Sequence, residues 1–189
     1  MATKLRWTSA DLAHFPDDGR RREIIDGELY VSRQPDWQHQ VICTRLGGWL
    51  DAWSVATGLG LAAAAPGLIF AEDDDVAPDL VWISLARLTA ILQGGKLHGA
   101  PELAIEVLSP GTSNQQRDRE TKRKLYARRG VDEYWIVDWQ NRTVDIYRRD
   151  GADLTMAETL EADQALTSPL LPGWTAPLDR LFSGLPATG

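Results

Sequence analysis

Apolar and polar positions along the chain switch between a helical and a strand period, and the switches mark its elements. A hydroxyl at Thr8 or Ser9 can cap the amides of Ala10-Asp11-Leu12, so a short helix starts there and stops at Pro16 and Asp17-Asp18-Gly19. Arg22-Glu23-Ile24-Ile25 and Glu28-Leu29-Tyr30-Val31 flank Asp26-Gly27, a dipeptide suited to a two-residue turn at positive φ, and predict a β-hairpin. From 38 to about 56, Val41, Ile42, Leu46, Trp49, Leu50 and Trp53 recur at helical spacing, and Gly58 is placed to close that helix.

Two short strands are expected around 59–64 and 67–71, followed by an acidic turn over 72–79. Leu80-Val81-Trp82-Ile83 and Leu103-Ala104-Ile105-Glu106-Val107-Leu108 are apolar runs bounded by turn residues, as buried strands are. A helix over 85–93 ends in Gly94-Gly95, and a strongly charged helix over 113–129 ends at Gly130. Tyr134-Trp135-Ile136-Val137 and Val144-Asp145-Ile146-Tyr147 read as further strands, the second alternating as an edge strand does. The segment 151–189, with Pro169, Pro172 and Pro177, reads as a loop-rich extension. Buried strands alternating with helices predict an α/β (α+β) fold with a central mixed sheet flanked by helices. No repeat or linker divides the chain, so 1–189 is expected to be one domain with its core at about 20–150.

Composition sharpens this picture in two places. With 43% hydrophobic and 25% charged residues the chain is an ordinary globular one, which excludes disorder as a whole-chain description. The weakly polar stretch 58–71 is broken by Pro66 and is too short to span a bilayer, and no apolar signal core follows the first charges. The lone Cys43 cannot form an internal disulfide, so a cytoplasmic location is expected. The net charge of −7 argues against coating nucleic acid by charge alone, yet it hides an asymmetry. Residues 117–129 carry seven bases and two acids, while 72–79 carry five acids and no base. Such a pair of clusters suits a solvated ion-pair surface, or a metal site beside a phosphate-binding face.

Glu106 is the most informative residue. Its strand neighbours are apolar, so the carboxylate leaves water and must be paired, protonated or metal-bound. A salt bridge to Lys122 or an arginine of the same helix would satisfy it structurally. Asp79 opens the other apolar strand directly after Pro78, where it is either a polar strand cap or a second oxygen ligand. Two carboxylates at the ends of neighbouring buried strands suit a hard divalent ion, Mg²⁺ or Mn²⁺. Lys122 and Tyr126, four apart, share one helix face, and a lysine there can orient a water or neutralise developing charge. Glu23, between Arg22 and Ile24, is a further candidate acid. His39 and Cys43 are also four apart, but two ligands fall short of a zinc set, and His39 is read as a hydrogen-bonding residue. Phosphate-binding loops, the dinucleotide fingerprint and the Gly-x-Ser-x-Gly elbow are absent from the sequence. Asp79 and Glu106 as a glycosidase pair would leave the basic helix without a role.

Several segments together carry a resemblance. They are Arg22 to Ser32, Gln38-His39-Gln40-Val41, Ala77-Pro78-Asp79-Leu80-Val81, Gly99 to Thr112, Asp118 through Lys122 to Tyr126-Ala127, and Gly130 to Asp138. In order and spacing this set resembles the Uma-two family of restriction-endonuclease-like proteins, within the PD-(D/E)XK nuclease superfamily. The resemblance runs from about residue 20 to 150. It implies a restriction-endonuclease-like core and metal-dependent phosphodiester hydrolysis, with Pro78-Asp79 and Glu106 matching the two acids and Glu23 the N-terminal acid. Leu108 stands where the superfamily pattern has lysine, and Lys122 on the following helix is the matching position.

The expectation is therefore a Mg²⁺- or Mn²⁺-dependent DNA endonuclease. Asp79, Glu106 and the Val107 carbonyl would hold the ion, Lys122 would act on the water, and Glu23 would complete the site. Arg117, Arg119 and Arg123 are the side chains expected at DNA phosphates. With a net charge of −7, a homodimer aligning two basic faces is expected. The other class is a catalytically silent binding or regulatory module in which Glu106 and Lys122 form a buried pair.

Overall fold

The computed structural model describes residues 5–186. After a single turn of helix, α1 (Ser9–Leu12), the chain forms the hairpin of β1 (Arg21–Ile25) and β2 (Glu28–Ser32). Asp26 at φ 53° and Gly27 at φ 73° make its turn, the backbone that the Asp-Gly pair tolerates. Helix α2 (Trp37–Thr57) stops at Gly58, whose φ of 67° lets its amide bond back to Ser54. Strands β3 (Gly60–Ala64), β4 (Leu68–Ala71), β5 (Asp74–Val76) and β6 (Leu80–Ser84) follow, then α3 (Leu85–Ile91) and the two-residue strands β7 (Leu92–Gln93) and β8 (Lys96–Leu97). Strand β9 (Leu103–Val107) precedes a continuous helical stretch of α4 (Thr112–Gln116), a π-helical segment (Arg117–Lys122) and α5 (Arg123–Arg129). Strands β10 (Glu133–Asp138), β11 (Thr143–Asp150) and β12 (Asp153–Leu160), the ribbon of β13 (Ala165–Leu166) and β14 (Ala176–Pro177), and α6 (Leu178–Phe182) complete the fold.

The strands form two six-stranded mixed sheets. The main one has the order β12-β11-β10-β9-β6-β3, parallel only between β9 and β10. The smaller has the order β2-β1-β5-β4-β8-β7. Strands β6, β9 and β10 are buried on both faces, which is why they read as apolar runs without alternation. One face of the main sheet packs Leu103, Ile105, Val107 and Trp135 against Ile42, Leu46 and Leu50 of α2 and against the C-terminal segment. The other packs Val81, Ala104 and Ile136 against Leu125 and Tyr126 of α5 and against Ile25, Leu68 and Val76 of the smaller sheet. Alternation along β9 places Glu106 on this second face, beneath the charged helix.

Four expectations need correction. The acidic stretch 72–79 is not a turn throughout, because Asp74–Val76 pairs with β1 and β4 and Arg128 and Arg129 neutralise the buried Asp74. The helix begun at Leu85 ends at Ile91, and 92–97 fold into a small hairpin about Gly94-Gly95. Strand β11 is internal; β12, within the segment expected to be loop-rich, forms the edge beside it. The rest of the C-terminal segment also enters the core, where Leu166, Leu171, Trp174, Leu178, Leu181 and Phe182 are buried against α2 and the main sheet. Their irregular spacing between prolines carries no helical or strand period, so pattern reading passed over them.

Candidate active site

Two strand ends and one helix face bring the predicted residues together. The pairing of β6 with β9 begins at Leu80↔Ile105, so the same register sets Asp79 opposite Glu106, one residue beyond the last pair. There the Asp79 side chain takes over from backbone pairing: its Oδ2 accepts the Val107 amide at 2.9 Å. The same oxygen meets His39 Nε2, in the first turn of α2, at 3.0 Å, and Oδ1 accepts from Arg21 Nη1 at 2.8 Å. Burial opposes ionisation of Asp79, but the His39 hydrogen bond and the charges of Arg21 and Lys122 hold its carboxyl well below the usual range.

Glu106 and Lys122 are almost wholly enclosed, at 2% and 1% exposure. Lys122 Nζ lies 2.9 Å from Glu106 Oε1 and 2.9 Å from Glu23 Oε1, and 3.8 Å from Asp118 Oδ1 one turn earlier on its helix. Tyr126 Oη donates to the same Glu106 Oε1 at 2.8 Å, so the four-residue spacing of Lys122 and Tyr126 serves one acceptor. The π-helical turn lies at this point, and the Asp118 carbonyl within it accepts from Tyr134 Oη at 2.9 Å. Such turns recur at functional sites.

Four buried acids (Glu23, Asp79, Glu106, Asp118) thus face three bases (Arg21, Arg117, Lys122). The surplus falls on Glu106. Its burial, with Asp79, Asp118 and Glu23 adding to the effect against Lys122, pushes its carboxyl up to about 8. Burial works against Lys122 as well, yet Glu106, Glu23 and Asp118 together raise its ammonium. Glu23 is lowered despite burial, chiefly by Lys122, then by Arg117 and the Ala77 amide. Lys122 and Glu23 therefore make the settled ion pair, and Glu106 is the acid in excess. Glu106 Oε2 accepts no hydrogen bond among the described residues, and the buried Glu23 Oε2 has no partner either. An excess carboxylate, a free oxygen and an all-oxygen acid pair fit a hard divalent cation.

Asp79, Glu106 and Val107 line a polar cavity of about 230 Å³, together with Arg21, His39 and Arg117. It adjoins a groove of about 400 Å³ through their shared Ser32, Arg33, Gln34, Ser109 and Arg117. Arg117 is fixed by Ser32 Oγ at 3.0 Å and by Asp118 at 3.4 Å. Arg119 and Arg123 do not line either space. Arg119 binds Asp138 at 3.0 Å and Asp145 at 2.5 Å, and Arg123 donates to the Leu154 carbonyl at 2.9 Å and covers the Tyr147 ring.

Sequence reasoning missed Arg21 and Asp118. Arg21 lies two residues before Glu23 on β1, hence on the same face, and Asp118 lies four before Lys122; both spacings were available as signals. His39 is a hydrogen-bonding residue, as its place near the helix start predicts.

The profile of the Uma2 family, described as "Putative restriction endonuclease", matches residues 9–179. The chain belongs to this family. Among solved structures, this Uma2 chain resembles one described as a "putative nuclease belonging to DUF820 from Anabaena variabilis ATCC 29413". The TM-score is 0.75 at 21% identity, over 93% of this chain and 97% of that one, so the two share a fold. A likeness to the type IIG restriction endonuclease BpuSI is lower, with a TM-score of 0.41 at 13% identity over 80% of this chain and 17% of that one. No curated protein matches the Uma2 chain.

Proposed function

We propose that this protein is a divalent-metal-dependent DNA endonuclease with Glu106 at its centre. The observation that carries the reading is that Asp79 and Glu106 line one polar cavity together, with Glu106 Oε2 accepting no hydrogen bond among the described residues. Asp79 and Glu106, with the Val107 carbonyl, would hold Mg²⁺ or Mn²⁺. When bound, the ion supplies Lewis acidity toward the scissile phosphate and lowers the pKa of water.

The chain's own residues do the rest. Arg21 and His39 orient Asp79, and Tyr126 and Lys122 orient Glu106, so both acids are held before substrate arrives. Lys122 has three N–H donors; Glu23 and Glu106 take two at 2.9 Å and Asp118 Oδ1 lies 3.8 Å from the same nitrogen, so Lys122 acts on the attacking water through Glu106, which lines the cavity. Glu23 keeps Lys122 charged. Arg117, lining both the cavity and the groove, is the contact for a neighbouring phosphate, and Arg119 and Arg123 support the helix that carries it. As the nuclease resemblance implies, water adds to phosphorus as the P–O3′ bond breaks, and a proton of that water passes to the departing oxygen, leaving a 5′-phosphate and a 3′-hydroxyl. Given the net charge of −7, the acting unit is a homodimer, which light scattering checks, in the cytoplasm where DNA and a reduced Cys43 coexist.

A specific observation also favours the silent module: the Lys122–Glu106 pair is already closed. Nicking of supercoiled plasmid with Mn²⁺ and with Mg²⁺, alongside Glu106→Ala, separates the two. Cleavage that requires the metal and disappears in the variant supports the nuclease. Absence of cleavage on duplex and single-stranded DNA, with no heat of metal binding by calorimetry, favours the silent module.

A further inference from the structure

Cys43 stands beside the candidate site, and the proposed reaction does not use it. It lies one turn beyond His39 on α2, so both side chains leave the same helix face. Its Sγ is 3.6 Å from His39 Nδ1, while His39 Nε2 is 3.0 Å from Asp79 Oδ2. One ligand atom each from His39, Cys43 and Asp79 falls within 4.8 Å of the other two. His39 and Asp79 are buried and Cys43 is half-buried, so water competes little for these donors. Cys43 also lines a separate cavity of about 310 Å³ with Thr44, Gly47 and Asp51, which gives an ion a route to the sulfur that does not pass Glu106.

The donors are one sulfur, one ring nitrogen and one carboxylate oxygen. Mg²⁺ is hard and octahedral and is served poorly by such a set. Zn²⁺ accepts all three atom types and commonly takes three protein ligands with water as the fourth. We propose that His39, Cys43 and Asp79 form a Zn²⁺ site that shares Asp79 with the oxygen site of Asp79 and Glu106. Binding releases the Cys43 thiol proton to solvent and replaces the His39–Asp79 hydrogen bond with ligation of both residues. Because Asp79 is common to the two sites, Zn²⁺ withdraws it from hydrolysis. Inhibition rests on the nuclease reading; binding does not.

Co²⁺ serves as the spectroscopic substitute for Zn²⁺ on the full-length protein. The expected result is a near-ultraviolet thiolate-to-Co²⁺ band that saturates near equimolar metal, is bleached by Zn²⁺ and resists excess Mg²⁺. Cys43 is the only cysteine, so the band has one source. It should vanish in Cys43→Ser and in Cys43→Ala, each shown folded by circular dichroism, and Zn²⁺ affinity should fall more than about tenfold in each. His39→Ala should weaken Co²⁺ binding to a similar extent. No band in the wild type, or unchanged affinity in His39→Ala, overturns the site. With Mg²⁺ present, Zn²⁺ should slow plasmid nicking, and the ratio of rates without and with Zn²⁺ should move toward unity in Cys43→Ser. A band with an unmoved ratio overturns the sharing of Asp79. If no condition gives nicking, the nuclease reading fails by itself, and a band still supports the Zn²⁺ site.

Discussion

Glu106 and Glu133 are buried acids on adjacent parallel strands, and they face opposite sides of the same sheet. Glu133 is fully engaged. Its Oε1 accepts from Trp135 Nε1 at 2.6 Å, and its Oε2 accepts from Ser168 Oγ at 3.0 Å and Arg148 Nε at 3.3 Å. Neither oxygen is left over, and its partners come from its own strand, the neighbouring strand and the C-terminal segment. Glu106 has one oxygen crowded by Lys122 and Tyr126, the other without a hydrogen bond among the described residues, and three further acids nearby. Burial alone therefore does not distinguish a functional carboxylate from a structural one. What distinguishes them is whether the surrounding donors complete the charge.

The contrast is broken most severely by truncating each acid. Glu106→Ala should reduce metal-dependent nicking by at least about a hundredfold, the scale on which one charge-stabilising group acts. Lys122 keeps Glu23 and the surplus acid is gone, which offsets the lost Tyr126 hydrogen bond, so urea unfolding of that variant should shift by no more than about 1 kcal/mol. A loss of about 3–5 kcal/mol there, the usual result of stranding one member of a buried pair, would instead make Glu106 a second Glu133 and favour the silent module. Glu133→Ala is expected to show the opposite pattern. It strands Trp135, Ser168 and Arg148, should cost about 3 kcal/mol in urea unfolding, and should leave cleavage by the folded fraction intact.

A smaller effect comes from pH. The Glu106 carboxyl is raised from its usual 4.5 to about 8, so the folded protein holds this proton where the unfolded chain has lost it. Its stabilising contribution is full below 4.5 and is lost as pH rises through about 8. In chelator, the melting temperature of the wild type should fall across this window relative to that of Glu106→Gln; parallel curves would remove the surplus-acid account. Tyr126→Phe deletes one of the two donors to Glu106 Oε1 and should cost about 1 kcal/mol, with a slower rate but the same metal requirement. The least effect is reserved for the helix arginines. Arg117→Ala should lower the slope of DNA affinity against salt by about one, and Arg119→Ala should leave it unchanged. Equal slopes in both variants would move the DNA path off the groove.

What the sequence made legible was local. The Asp26-Gly27 hairpin, the helix stopped by Gly58 and the apolar strands holding Glu106 each follow from neighbours within a few residues. The convergence of Asp79, Glu106, Lys122 and Glu23 was expected, since their segments occur in a recognisable order. The Arg21–Asp79 and His39–Asp79 contacts join positions 58 and 40 residues apart, which no periodicity encodes. The C-terminal segment was misread because it fills the core by single side chains between prolines. The sequence offers the whole charged helix to phosphate alike; Asp138, Asp145 and Tyr147 engage Arg119 and Arg123, and of the three arginines Arg117 lines the cavity.

The enclosure of Lys122 makes it a reporter of opening. The chain has four lysines, and of the three described, Lys96, Lys122 and Lys124, Lys122 alone is sealed among carboxylates beneath two sheets. An amine-acylating reagent should tag Lys96 and Lys124 at once and reach Lys122 only when that end of the protein breathes. The tagging rate of this one residue, read by peptide mass, becomes a clock for site opening, and DNA or metal that closes the site should slow it.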